Sequence, residues 1–104
     1  MKIAVISDTH WQPSQPLPKV LQLVAEQQPD LLLHAGDWTN LTLLEELRKI
    51  APVRGVAGNC DPEAEGHLLG YSKVVEAGPL RIGLTHGHLY GHLPLPAAAA
   101  RVFA

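Results

Sequence analysis

The chain has 104 residues, enough for one domain and too few for two. Hydrophobic residues make up 46% and charged residues 17%, a balance that supports a packed core and excludes a disordered chain. Eight Lys and Arg against ten Asp and Glu leave a net charge of −2, without the basic stripe of a nucleic-acid binder.

The first element is a strand, Ile3-Ala4-Val5-Ile6, a continuous apolar run of the kind buried on both faces of a parallel sheet. It is too short for a signal-peptide core, and Asp8 follows almost at once. Pro13, Pro16 and Pro18 mark a loop that launches a helix, with Leu17, Val20, Leu21 and Val24 on one face. Pro29 ends that helix, and Leu31 to Leu33 form a second strand. Thr39 or Asn40 caps the next helix, whose apolar stripe is Leu41, Leu44, Leu47 and Ile50, with Glu45 and Lys49 paired outside. Val53 to Ala57 is a third strand. Asp61 to Gly70 lacks periodicity and reads as a loop. Lys73 to Ala77 and Leu80 to Thr85 read as a hairpin around Gly78-Pro79.

A last helix is expected from Ala97 to Arg101, after Pro94 and Pro96. It has no stop signal, and the apolar Val102 and Phe103 follow it. Two expectations fit: a frayed terminal helix, or a domain that lacks its final elements. No run reaches the length of a membrane span, and the single cysteine, Cys60, forms no intrachain disulfide. The expectation is a soluble cytoplasmic domain.

Six histidines stand in this short chain, and four strand ends run into ligating residue types. These ends are Ser7-Asp8-Thr9-His10, His34-Ala35-Gly36-Asp37, Gly58-Asn59-Cys60-Asp61 and Thr85-His86-Gly87-His88. Open α/β sheets build their sites beyond the carboxyl ends of the strands. Asp8 and His10 stand two apart, so an extended stretch points both the same way, as two ligands of one metal require. The oxygen and imidazole donors suit Mn, Fe, Co, Ni or Zn, with no thiolate needed. A carboxylate such as Asp37 can bridge two ions roughly 3.5–4 Å apart.

In these blocks the chain resembles the calcineurin-like metallophosphoesterases, specifically their small single-domain prokaryotic phosphodiesterase branch. Asp8-Thr9-His10, Gly36-Asp37, Gly58-Asn59-Cys60-Asp61 and His86-Gly87-His88 match four family blocks in order. A fifth, Gly-His-x-His, does not follow Phe103, which favours a C-terminally truncated domain over residues 1–104. The resemblance implies an α/β fold, the four-layer αββα metallophosphoesterase sandwich. It implies phosphodiester hydrolysis by a metal-bridging hydroxide, with two divalent metal ions, Mn favoured and Fe, Zn, Ni or Co as alternatives. Asp8, His10 and Asp37 would hold one ion and Asp37, Asn59 and His86 the other, each site short of one histidine.

Among the catalytic candidates Asp37, Asn59, Asp61 and His88, Asp61 would orient a water or ligand. His88 would support the ligands or contact phosphate. Cys60 stands where many family enzymes carry a histidine thought to protonate the leaving group. A thiol of ordinary pKa about 8.5 is a poorer acid, which shifts the expected substrate towards diesters with good leaving groups. His34 is read as a core or supporting residue, His67 as solvated and His92 as a lip residue or nothing. Trp11 and Trp38 are expected to pack on the proline-rich loop rather than stack on substrate.

The rival reading is a non-catalytic scaffold, since one branch of the family is a subunit of a membrane-trafficking coat. A nucleotide-binding domain fares worst, with no Gly-x-Gly-x-x-Gly and no phosphate-loop lysine. The expected partners are a small phosphoester substrate and a second copy of the chain. Leu80, Ile82 and Leu84 are expected to form a bare face, joined by Val102 and Phe103 in a homodimer. His88 or His92 of the second copy would then replace a lost ligand.

Overall fold

The computed structural model of the chain describes residues 1–88, 94 and 103. Its elements are β1 (Ile3–Ile6), α1 (Lys19–Gln27), β2 (Leu31–His34), α2 (Leu43–Arg48), β3 (Val53–Gly55), α3 (Glu63–Leu69), β4 (Ser72–Ala77) and β5 (Leu80–Thr85). β1, β2 and β3 form a parallel sheet in that order, with Ile6 opposite His34 and His34 opposite Gly55. All three strands therefore end at one level. β4 and β5 form the expected antiparallel hairpin, turning at Gly78 with φ 59°. The expected helix from Ala97, together with His92 and Val102, lies outside the described residues. Among the described residues no helix is long and apolar enough to cross a membrane.

Alternation along the strands splits the core in two. On one face of the parallel sheet, Ile6 and Leu32 meet Leu21 and Val24 of α1, Leu43 and Leu47 of α2, and both tryptophans. On the other, Leu33 and Val56 pack against Val75 of β4 and Leu84 of β5, with Ile82 beside them. This corrects the expectation of a bare Leu80-Ile82-Leu84 face. β5 turns that face onto the parallel sheet, and of the three only Leu80, at the turn, is exposed. Phe103 lies against Gly83 on the opposite face of the hairpin. β1 is less buried than expected, because the hairpin's buried residues meet Leu33 and Val56, and Val5 is left 62% exposed.

Two local readings are also corrected. Residues 63–69 are the helix α3 rather than a loop. It packs through Gly66, buried beneath the Tyr71 hydroxyl where a Cβ would collide, and through Leu69 at its end, while Leu68 is exposed. A helix seated on a glycine shows no leucine stripe. Lys49 pairs with Glu46 at 3.2 Å rather than with Glu45. Asn40 does serve the start of α2, since its Oδ1 accepts the Thr42 N–H at 3.0 Å, although regular helix begins at Leu43.

Both tryptophans are internal. Trp11 donates from Nε1 to Gln15 O in the proline-rich loop at 3.1 Å. Trp38 is fully buried and donates to Val56 O at 2.9 Å. Its ring stacks on His34, with centroids 3.8 Å apart and planes 12° apart. Gly55 leaves room for this indole, since a Cβ there would fall 2.5 Å from Trp38 Cζ2. His34 is itself fully buried, and its Nδ1 accepts the Gly36 N–H at 3.1 Å. The ring proton therefore sits on Nε2, which donates to Thr9 Oγ1 at 3.0 Å. One imidazole thus ties the loop after β1 to the loop after β2.

Burial lowers the His34 pKa to about 4. The unfolded chain, with an ordinary histidine pKa near 6.5, binds this proton first. Stability is therefore level above about pH 6.5 and falls as pH drops towards 4, by about 3 kcal/mol from this residue. Urea unfolding of the metal-free protein at pH 7 and pH 4.5 should show this loss. The difference should shrink in His34→Gln, and an unchanged difference would contradict the assignment.

Candidate metal centre

Four loops, following β1, β2, β3 and β5, meet beyond the carboxyl ends of the strands. The sequence reading placed Asp8 and His10 on an extended stretch, but both adopt left-handed backbone, with φ 55° and 47°. The loop after β2 is left-handed as well, at Gly36 (φ 110°), Asp37 (φ 60°) and Thr39 (φ 71°). The two loops are zipped together. Asp8 N–H donates to Gly36 O at 2.9 Å, His10 N–H to Asp37 O at 3.2 Å and Trp11 N–H to Trp38 O at 3.1 Å. Asp8 and His10 converge through this pairing, not through strand alternation.

Asp61 fixes the third loop against the second. Its carboxylate accepts N–H bonds from Asp37 (2.9 Å), Gly58 (2.8 Å) and Thr39 (2.8 Å). Asp37 answers with Oδ1, which accepts the Cys60 N–H at 2.8 Å. Gly58 permits the approach, because a Cβ there would collide with Asp37 Oδ1 and lie 2.6 Å from Asp37 N.

Asp37 Oδ2 is left facing the cluster, on a side chain only 5% exposed. It stands 3.3 Å from His86 Nε2 and 3.9 Å from His10 Nε2. Asp8 Oδ1 stands 3.8 Å from His10 Nε2 and 4.0 Å from His86 Nε2. Two ligand atoms each about 2.1 Å from one ion lie no more than about 4.2 Å apart, so these separations fit coordination. His86 has the correct tautomer. Its Nδ1 donates to Ala35 O at 2.9 Å, because a carbonyl only accepts, so Nε2 is the ring atom turned towards both carboxylates. Ligand atoms of Asp8, Asp37 and His86 cluster within 4.8 Å, and so do those of His10, Asp37 and Cys60. Asp37 belongs to both sets.

The Ser7 hydroxyl, bonded to Asp8 Oδ2, holds the Asp8 carboxyl below its ordinary range, with His86 adding to the effect against partial burial. The Cys60 thiol is raised, first by its hydrogen bond to the Asp37 carboxylate. His88 is lowered by burial and then by His86.

The structure thus brings together Asp8, His10, Asp37 and His86. Asn59 is exposed in its turn, with Nδ2 directed at Cys60 Sγ at 3.7 Å. Asp61 grips backbone, so it acts by holding the Asp37 loop. The His88 ring lies 5.6 Å from that of His86 and edge-on to Tyr71, and its buried Nδ1 has no partner among the described residues. His67 is exposed on α3, near Glu63. Cys60 is the cluster member that sequence reasoning left out of the ligands. Its place beside Asn59 in the third block was the available signal. The groove between α1 and α2, lined by Leu17, Leu21, Glu46 and Ile50 among others, shares no residue with the cluster.

The signature of the calcineurin-like phosphoesterase superfamily domain matches residues 1–103. A probable metallophosphoesterase of Methanothermobacter thermautotrophicus is 40% identical over 91 residues, covering 86% of this chain and 52% of that protein. The probable metallophosphoesterase YsnB of Bacillus subtilis is 35% identical over 96 residues, covering 88% and 49%. The chain thus spans about half the length of these curated relatives. Among solved structures, vacuolar protein sorting 29 of Cryptosporidium parvum superposes with a TM-score of 0.73 at 25% identity, over 95% of this chain and 56% of that one. Vps29 of Entamoeba histolytica, solved in complex with Zn²⁺, gives 0.64 at 29% identity, over 85% and 49%. The four matched sequence blocks, their meeting at one end of the sheets and these similarities lead to one assignment: the chain belongs to the calcineurin-like phosphoesterase superfamily.

Proposed function

We propose that the chain is a metal-dependent phosphoesterase that hydrolyses phosphodiesters with good leaving groups. The observation that carries this reading is Asp37, a buried carboxylate shared by two sets of ligand atoms. Two divalent cations fit there, held by Asp8, Asp37 and His86 on one side and by His10 and Asp37 on the other, with Asn59 as a further ligand. Mn²⁺ is the proposed activating ion, with Fe, Zn, Ni and Co as alternatives. That the Entamoeba histolytica relative was solved in complex with Zn²⁺ is consistent with a divalent ion here. Such ions, when bound, lower the pKa of water and neutralise charge on the phosphoryl oxygens.

This chain's residues do the rest. Cys60 N–H holds Asp37 Oδ1 so that Oδ2 keeps its aim, and Ala35 O keeps the proton of His86 on Nδ1. Ser7 holds Asp8 ionised. His88, next to His86 at the margin of the cluster, supplies a phosphate contact.

An activated aryl phosphodiester should be cleaved with added Mn²⁺ and spared after chelation. Asp37→Asn should abolish turnover, and metal-independent cleavage or an unimpaired Asp37→Asn protein would defeat the proposal. Gly58→Ala should lower activity as well, because the added methyl displaces Asp37 Oδ1; circular dichroism should show the fold retained.

The similarity to vacuolar protein sorting 29 supports a second reading, a non-catalytic protein-docking module. A protein that binds metal with full occupancy yet cleaves no phosphoester would favour it.

A further inference from the structure

We propose that Cys60 is a thiolate ligand of the ion held by His10 and Asp37, making that site a sulfur-bearing one that selects zinc or cobalt over manganese or magnesium. The inference rests on the metal reading above and assigns the metal class of one half of the site. Three placements carry it. Cys60 Sγ, a ring nitrogen of His10 and a carboxylate oxygen of Asp37 lie within 4.8 Å of one another. Cys60 is pinned at its backbone, where its N–H donates to Asp37 Oδ1 at 2.8 Å, so Sγ is held beside the carboxylate. Asp37 is itself buried, aimed into the cluster by Cys60 and held by Asp61 from behind.

Chemistry separates this site from its neighbour. Asp8, Asp37 and His86 offer two carboxylates and an imidazole, a set that Mn²⁺ accepts. His10, Asp37 and Cys60 offer imidazole, carboxylate and sulfur, and sulfur is a soft donor that favours Zn²⁺ or Co²⁺. On binding, the Cys60 Sγ–H bond breaks, its proton passes to solvent and the sulfur lone pair enters the metal bond. No redox change is involved. In the metal-free protein the Asp37 carboxylate keeps the thiol protonated, so the ion must displace that proton; Asn59 Nδ2, at 3.7 Å, donates to the sulfur. Cys60 is exposed, so its sulfur fills no packing position that would explain it otherwise.

The chain has one cysteine, which makes the test clean. Titration with Co²⁺ should produce visible d–d bands and, in the near ultraviolet, a sulfur-to-cobalt charge-transfer band. Cys60→Ser should lose the charge-transfer band and keep the d–d bands of the remaining ligands. Zn²⁺ should also slow alkylation of Cys60 by iodoacetamide, whereas Mg²⁺ should not. Bound cobalt with d–d bands and no charge-transfer band would overturn the thiolate ligand while leaving the metal reading intact. A protein that binds neither Co²⁺ nor Zn²⁺ would overturn both.

Discussion

The Asp61 carboxylate, gripping the backbone N–H groups of Asp37, Gly58 and Thr39, is the interaction on which the site depends. It answers a cost set by the chain's path. Left-handed backbone at a residue other than glycine costs on the order of 1–3 kcal/mol, and Asp37 and Thr39 both adopt it within three residues. Aspartate tolerates that region better than most residues, whereas the β-branched Thr39 is the harder case. Hydrogen bonds to a charged acceptor contribute about 1.5–3 kcal/mol each, so three of them are of the size needed to offset the strain. Because Asp37 in turn accepts the Cys60 N–H, each aspartate fixes the other's loop. The carboxylate at the heart of the cluster therefore has little freedom left.

That loss of freedom gives the cluster its electrostatic character. His10 Nε2 and His86 Nε2 both face the carboxylates of Asp8 and Asp37, at 3.3–4.0 Å. Two carboxylates are thereby gathered in one place, and burial of Asp37 leaves little water to screen them. Such crowding is relieved by a cation placed between the donors. The Ala35 carbonyl already occupies the Nδ1 proton of His86, which leaves Nε2 as the atom where that relief must arrive. Donor atoms from four residues, held 3.3–4.0 Å apart by their backbone partners, are what a preorganised cation site requires.

Much of this was legible in the sequence, and the exceptions share a cause. The strands, the first two helices and the hairpin follow from apolar runs and proline punctuation, because packing there is done by side chains of recognisable period. α3 was missed because it packs through Gly66 and the single Leu69, and a glycine seat with one leucine leaves no periodic trace. The bare face expected on β5 was misread because alternation shows that Ile82 and Leu84 share a side but not what covers it. At the site, Asp8, His10, Asp37 and His86 were visible as residues at strand ends. The left-handed turns that bring them together, and the role of Asp61 in holding those turns, are matters of backbone path that residue types do not encode. Cys60 was set apart because it departs from the expected histidine, a comparison that drew attention away from its place beside His10 and Asp37.

The two cores then divide the task of holding the site. The helix-side core reaches the loops through the Trp38–His34 stack, and His34 passes that rigidity on through Gly36 and Thr9, the neighbours of Asp37, Asp8 and His10. The hairpin-side core positions His86, since Leu84 and Ile82 press β5 onto the parallel sheet and His86 follows directly after Thr85. Thr85 itself donates to Tyr71 O and accepts the Gly87 N–H, which fixes the exit of β5. Three ligand-bearing residues thus depend on one core and the fourth on the other. The geometry between Asp37 and His86 therefore rests on how the hairpin seats on Leu33 and Val56 as well as on the loops, where His86 Nδ1 meets Ala35 O. Packing between the two sheets is thus part of what holds the candidate ligands in register, although neither Asp37 nor His86 belongs to that core.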